Sequence, residues 1–357
     1  MAFDEVQNVA VIIGLCLIAI VFIYQTQKKH RRVYFLSFGL LLPIIGQSFY
    51  VIIHTTNFFN IELNIGQYIR DYLFGVFYFL IFIHFYNLYN ENDNNYLINI
   101  DFGILSIFTA FLFVSIVTND PSFISITGRF VNVIGLVCFA YISYVSFLVA
   151  KMLRERESIV ECASYIIIFG AHIIYVLGDN FFLTFFDYNS LADTVGLIGL
   201  MLLFLNYLSN LDYLYRLPFP IYQLIVYNNS GLCVYSRSVK TKGVQSIDIE
   251  EMLFSGLISA ISSGIKESLG TSTELRYIDA TDKHILLKIF SGLTVVIISD
   301  SKSNLLLESI KTINGLINDE FRKEINESII NVNRMYFYLD SIVKTAFPYI
   351  SINYKEN

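Results

Sequence analysis

Apolar residues dominate the first part of the chain, and then the pattern changes. Seven apolar stretches, about 7–26, 33–55, 67–90, 98–118, 129–151, 160–184 and 190–211, each reach the length a bilayer requires. Short polar segments separate them, so the pattern predicts a bundle of seven antiparallel membrane helices over 1–211. Pro43 is the one proline inside a predicted span. The break comes at 212–220, where Pro218 and Pro220 fix φ and push the residue before each toward extended geometry. This hinge is expected to end the seventh helix and open a strand.

Beyond the hinge the apolar runs shorten. Phe219–Tyr227 and Leu232–Val239 read as strands joined by the hairpin turn Asn228-Asn229-Ser230-Gly231. A helix is expected from an Asp248 N-cap to about Leu269, stopping at Gly270. Glu274–Asp279, Lys283–Phe290 and Thr294–Ser299 read as three more strands, with turns at Thr281-Asp282 and Ser291-Gly292. Helices are expected over Ser303–Arg322 and Ile325–Ala346, the last closed by Pro348. The order ββαβββαα predicts a soluble α/β domain with an antiparallel sheet over 221–357.

Composition supports this division. The chain is 55% hydrophobic and 15% charged, against about 25% charged for a soluble domain. Residues 1–211 hold 9 basic and 14 acidic side chains, whereas the shorter segment 212–357 holds 15 and 16. A net charge of −6 gives no basic field for nucleic acid. Cys16, Cys138, Cys162 and Cys233 form no CxxC pair, so neither a disulfide framework nor a zinc site is expected. No cofactor is called for. Asp4 and Glu5 precede the first apolar run and Lys28-Lys29-His30-Arg31-Arg32 follows it, unlike a cleaved signal, so it is expected to stay as a helix.

Orientation follows from Lys and Arg near helix ends. Lys28, Lys29, Arg31 and Arg32 fall in the first loop, and Lys151, Arg154 and Arg156 in the fifth, on one side of a seven-span bundle. Arg70 and Arg129 are exceptions on the other. The N-terminus is then outside the cell membrane and residues 212–357 are cytoplasmic. The glycosylation patterns at Asn228 and Asn326 become chance matches.

The hairpin "IVYNNSGLCVYS", the helix "FSGLISAISSGIKESLG" and the strand-into-helix run "TVVIISDSKSNLLLESIKTI" resemble the longin fold of the roadblock/longin superfamily. The resemblance covers about 219–346 and none of the membrane part. It implies a five-stranded antiparallel sheet with one helix on one face and two on the other. It also implies a non-enzymatic binding platform that meets small Ras-like GTPases, vesicle-fusion proteins or a second copy of itself. Gly256, Ala260 and Gly264 recur every four residues on the expected helix, beside an apolar stripe of Leu253, Leu257, Ile261 and Ile265. Glycine in a helix interior costs up to about 1 kcal/mol, so the small face argues for close approach. Two readings stand, close packing on the domain's own sheet or a partner or dimer surface.

Ionisable groups in the membrane part are the candidate chemistry, because each is costly in hydrocarbon. His54, Arg70, Asp71, Asp179, Asn180 and Asp193 are expected near the outer ends of their helices. His172, Tyr175 and Asp179 share one face of the sixth span, and Arg70 is the expected partner of Asp179. This cluster is either a ligand pocket open to the outside or an ion pair that locks the bundle. His84, Asn87 and Asn206 lie deeper, and a chain of His172, His84 and these Asn groups either relays protons or makes plain interhelical hydrogen bonds.

Several sharper chemistries fail. The seventh span has no lysine for a retinal Schiff base, and Val176 breaks the GxGD pattern around Gly178-Asp179. HExxH, GxxxxGK[ST] and nucleophile-elbow patterns are absent, as is a Gly/Pro-broken inverted repeat. The expectation is a non-enzymatic sensor or anchor in the lipid bilayer that recruits a cytosolic protein through its soluble domain. Signalling then requires the seventh helix to move against 212–220. Solute transport with a regulatory domain is the alternative, and an inert anchor the third.

Overall fold

The computed structural model describes residues 2–29, 34–56, 63–89, 121–181, 188–209, 217–228, 230–239, 277–280, 283–290, 292–317, 319–325 and 332–347, with scattered positions in 103–118 and 254–267. The chain forms two compact units, Met1–Asn87 with Asn92–Leu214, and Leu88–Glu91 with Tyr215–Asn357.

The first unit is helical. Its elements are α1 (Ala2–Lys29), α2 (Tyr34–Thr56), α3 (Leu63–Tyr89), the helical positions of 103–118 (α4), α5 (Pro121–Leu153), α6 (Arg156–Phe181) and α7 (Tyr188–Ser209). Among the described residues, four stretches are long and apolar enough to cross a membrane: Gly66–Tyr89, Gly128–Leu153, Arg156–Gly178 and Tyr188–Ser209. Val9–Tyr24 and Gly39–Ile53 are shorter apolar helices. The exterior is apolar too. On α5 the exposed residues Val133, Val137, Tyr144 and Phe147 back onto buried Cys138, Ile142, Val145 and Val149. A helix apolar on both faces suits a lipid surround.

α5 begins at Pro121, well ahead of the expected 129, because proline's fixed φ suits a helix's first turn. α5 reverses into α6 at Arg154, whose φ of 51° is in the left-handed region and whose N–H donates to Ala150 O at 2.9 Å. α6 packs on both α5 and α7, and α1 on α2 and α7. α3 meets its neighbours through rings, Tyr78 against Phe139 (5.7 Å), Phe82 against Tyr141 (5.4 Å) and Phe85 against Tyr165 (6.4 Å).

The second unit holds a five-stranded antiparallel sheet in the order β2-β1-β5-β4-β3. The strands are β1 (Ile221–Asn228), β2 (Cys233–Ser238), β3 (Tyr277–Ala280), β4 (Lys283–Phe290) and β5 (Leu293–Ser299). β1 is buried along its whole length, as befits an inner strand covered on both faces. Described positions in 254–267 are helical (α8). Ile258 of α8 packs on Ile225, Tyr227, Leu287 and Val296. Strand side chains alternate, so Leu224, Val226, Leu286 and Ile297, all buried, line the other face. That face takes α9 (Asn304–Leu316) and α11 (Val332–Ala346), with α10 (Asp319–Ile325) between them in sequence.

The hairpin turn forms as expected. Asn228 Oδ1 accepts from the N–H groups of Ser230 (3.1 Å) and Leu232 (2.9 Å), and Gly231 takes a φ of 76°. Ser303, expected as the first helical residue, is instead the N-cap of α9 and accepts from Leu306 N at 3.2 Å. The single helix expected over 303–322 is divided. Ile317 is extended at φ −78°, ψ 116°, just after Gly315, and Arg322 of α10 donates to Asn314 O at 2.6 Å, closing the frayed end of α9. α11, expected over 325–346, is described over Val332–Ala346 and ends before Pro348. The expected Asp248 cap, Gly270 stop and Thr281-Asp282 turn lie outside the described residues.

Candidate functional site

The polar residues of the bundle gather on α3, α6 and α7. Arg70 bends onto its own neighbour, its Nε and a terminal nitrogen donating to Asp71 Oδ1 at 2.9 and 2.8 Å. Asp71 is 7% exposed, and the Arg70 guanidinium lies 4.6 Å from the Tyr50 ring centroid on α2. The other carboxylate oxygen of Asp71 faces Gly128 of α5, 3.5 Å from where a Cβ would stand. The described partner of Arg70 is thus Asp71, and the expected pairing with Asp179 lies outside the described residues. His54 lies in α2, and Asp179 and Asn180 in α6, but their side chains fall outside the described residues.

His172 is buried in a ring of aromatics. Phe139 stacks on it at 5.3 Å, and Tyr78 meets it edge-on at 5.1 Å. Its imidazole presses on α5 where a Cβ at Gly135 would lie 2.6 Å from the ring. Its Nδ1 makes no hydrogen bond among the described residues, nor does Nδ2 of buried Asn206. At these two atoms the interhelical hydrogen bonds of the plainer reading are absent among the described residues. Tyr175, one turn further on, donates to Asp193 of α7.

A second cluster was not singled out from sequence. Tyr207 of α7 donates to Glu161 of α6 at 2.7 Å, and the Tyr165 hydroxyl is 2.7 Å from that of Tyr207. Glu161, Tyr165 and Tyr207 are all buried. The two clusters form a reciprocal pair. At one end a phenol of α6 serves a carboxylate of α7; at the other a phenol of α7 serves a carboxylate of α6. Fourteen residues separate Glu161 from Tyr175, and fourteen separate Asp193 from Tyr207. The ends are about 21 Å apart along the helix axis. Between them α7 closes on α6 at Gly199, where a Cβ would lie 3.0 Å from Ser164 O. The signal was in the spacing. Glu161, Tyr165, Ile168, His172, Tyr175 and Asp179 follow each other by four and three alternately, one continuous helix face.

In the second unit, Gly256, Ala260 and Gly264 are exposed, and a Cβ at Gly256 or Gly264 meets nothing within 4 Å. Among the described residues, nothing packs on this face. The buried stripe is turned by one position from the expected one: Ile258 faces the core with Phe254 beside it, and Leu257 is 56% exposed. On the other side of the sheet, Asp340 of α11 accepts from Tyr235 at 2.7 Å and from Arg237 at 3.3 and 3.2 Å. Burial, and then that hydrogen bond, pushes the Tyr235 phenol up. Hydrogen bonds to Asp300 and Tyr222 push the half-buried Lys283 ammonium up, and those from His284 and Lys302 hold Asp279 below the usual carboxylate range. No group of three His, Cys, Asp or Glu residues able to hold a metal occurs among the described residues.

The chain matches no protein-family model and no curated protein. The candidate sites are these clusters and the exposed face of α8.

Proposed function

We propose that this chain is a seven-span membrane sensor or anchor whose cytoplasmic, longin-like domain recruits a protein partner, with a small Ras-like GTPase as the first candidate. The observation that carries this is the sheet order β2-β1-β5-β4-β3, with α8 on one face and α9 and α11 on the other. The solvent-facing stretch of Gly256, Leu257, Ala260 and Gly264 supports a docking role, because a flat helix face lets another backbone approach closely.

The test immobilises the full chain in lipid nanodiscs and exposes it to cytosol with GTPγS or GDP. A small GTPase retained in one nucleotide state, and lost with Ala260→Arg, is the expected result. Retention that ignores both the nucleotide and Ala260→Arg sinks the proposal. Solute transport is the second reading, favoured by the Arg70–Asp71 and Tyr175–Asp193 pairs within the bundle. It requires flux in proteoliposomes that falls on Asp179→Asn.

A further inference from the structure

We propose that Arg70 and Asp71 bind a small zwitterion, an α-amino acid. Its carboxylate takes the open edge of the Arg70 guanidinium, and its ammonium takes the second oxygen of Asp71. The inference rests on the bundle being a sensor, or the transporter of the second reading, and adds the class of its ligand.

The pair leaves complementary atoms over. A guanidinium carries five N–H donors in a planar fork. Two of those on Arg70, from Nε and Nη2, converge on the single acceptor Asp71 Oδ1. That occupies one side of the fork. The edge between Nη1 and Nη2 makes no hydrogen bond among the described residues. It is an edge that matches a carboxylate with two parallel hydrogen bonds. The Arg70 side chain is 25% exposed, so packing does not seal it.

Asp71 supplies the opposite half. The residue is buried, yet its Oδ2 accepts no hydrogen bond among the described residues. Buried polar atoms are normally satisfied, so an unused carboxylate oxygen calls for a donor. Gly128 of α5 leaves room beside it, since even a Cβ there would stand 3.5 Å away. A simple carboxylate on Arg70 would meet Oδ2 as a like charge, and a simple amine would leave the fork unused. A ligand carrying both charges serves both. The two sites adjoin, because Oδ1 and Oδ2 belong to one carboxylate. The ligand's charges must therefore stand close together, as they do across one carbon of an α-amino acid.

α2 holds the guanidinium in place. The Tyr50 ring lies 4.6 Å from it, and Gly46, one turn earlier, lets α2 approach so closely that a Cβ there would be 3.2 Å from Arg70 Cα. Three helices, α2, α3 and α5, thus frame the pair.

The test is thermal unfolding of the full chain in lipid nanodiscs with each common L-amino acid added in turn. Propionate and propylamine serve as the two halves of the ligand. An amino acid that raises the unfolding temperature, with neither half doing so, is the expected result. Arg70→Lys keeps the charge beside Asp71 but has no planar fork, and is expected to weaken binding about tenfold or more. Should it misfold, Gly128→Ala serves. Its methyl fits at ordinary contact distance beside Oδ2, so the variant is expected to fold and to bind the same amino acid more weakly. A shift unchanged in the folded variants, a shift given equally by propionate, or no shift with any amino acid overturns the proposal. A pair that only locks the bundle gives the last of these. The readout involves no GTPase, so it can fail while nucleotide-dependent retention stands, and succeed where retention fails.

Discussion

Single side chains in this protein are set by what stands opposite them. His172 occupies its site because position 135 has no Cβ. Gly135→Ala is therefore expected to destabilise the bundle by about 1–3 kcal/mol through overpacking, read as earlier thermal unfolding in detergent. Gly256 is the opposite case. With nothing near its missing Cβ, Gly256→Ala is expected to stabilise the second unit by about 0.5–1 kcal/mol through helix propensity alone. A loss of stability there would mean that the face is packed after all. At Tyr235 the phenol is pushed up by burial and by Asp340, so its contribution is complete below the unfolded value near pH 10 and is lost as pH rises through the folded one. Tyr235→Phe is expected to flatten the alkaline limb of a stability–pH curve measured on the full chain.

Elements were more legible than their contacts. The β1–β2 hairpin was readable from Asn228 and Gly231, because turn chemistry is local. Strand β4 matched its expected bounds, because its run of Ile, Leu and Phe ends where the apolar pattern ends. The division of α9 from α10 was not legible. It depends on Arg322 reaching back eight residues to Asn314, a tertiary contact with no periodic signature. The membrane site was half legible. His172 and Tyr175 were found from their spacing, but Asp193 and Tyr207 depend on how α7 lies against α6. Those two contacts are far enough apart to act independently. Tyr175→Phe and Tyr207→Phe are each expected to cost about 1 kcal/mol in an unfolding titration, and the double variant their sum. A double variant no worse than either single one would show that the ends are coupled.

For the whole chain, the division into a helical unit and a sheet unit was readable from hydropathy, because lipid and water demand different side chains. The number of crossings is a question of parity. Seven put Ala2 and Glu267 on opposite sides of the membrane, and any even number puts them on the same side. With the native cysteines replaced, Ala2→Cys is expected to react with a membrane-impermeant thiol reagent in intact cells. Glu267→Cys is expected to react only after permeabilisation.

The reciprocal phenol–carboxylate contacts of α6 and α7 also have a mechanical consequence. A rod pinned to its neighbour at one point can pivot, and one held only by smooth packing can slide. Held at two points about 21 Å apart, α7 can do neither without breaking a contact. The motion left to it is bowing between the pins, and its middle carries Gly196 and Gly199, the residues that hold a helix least stiffly. Releasing either pin restores the pivot, so each carboxyl acts as a latch on a different degree of freedom.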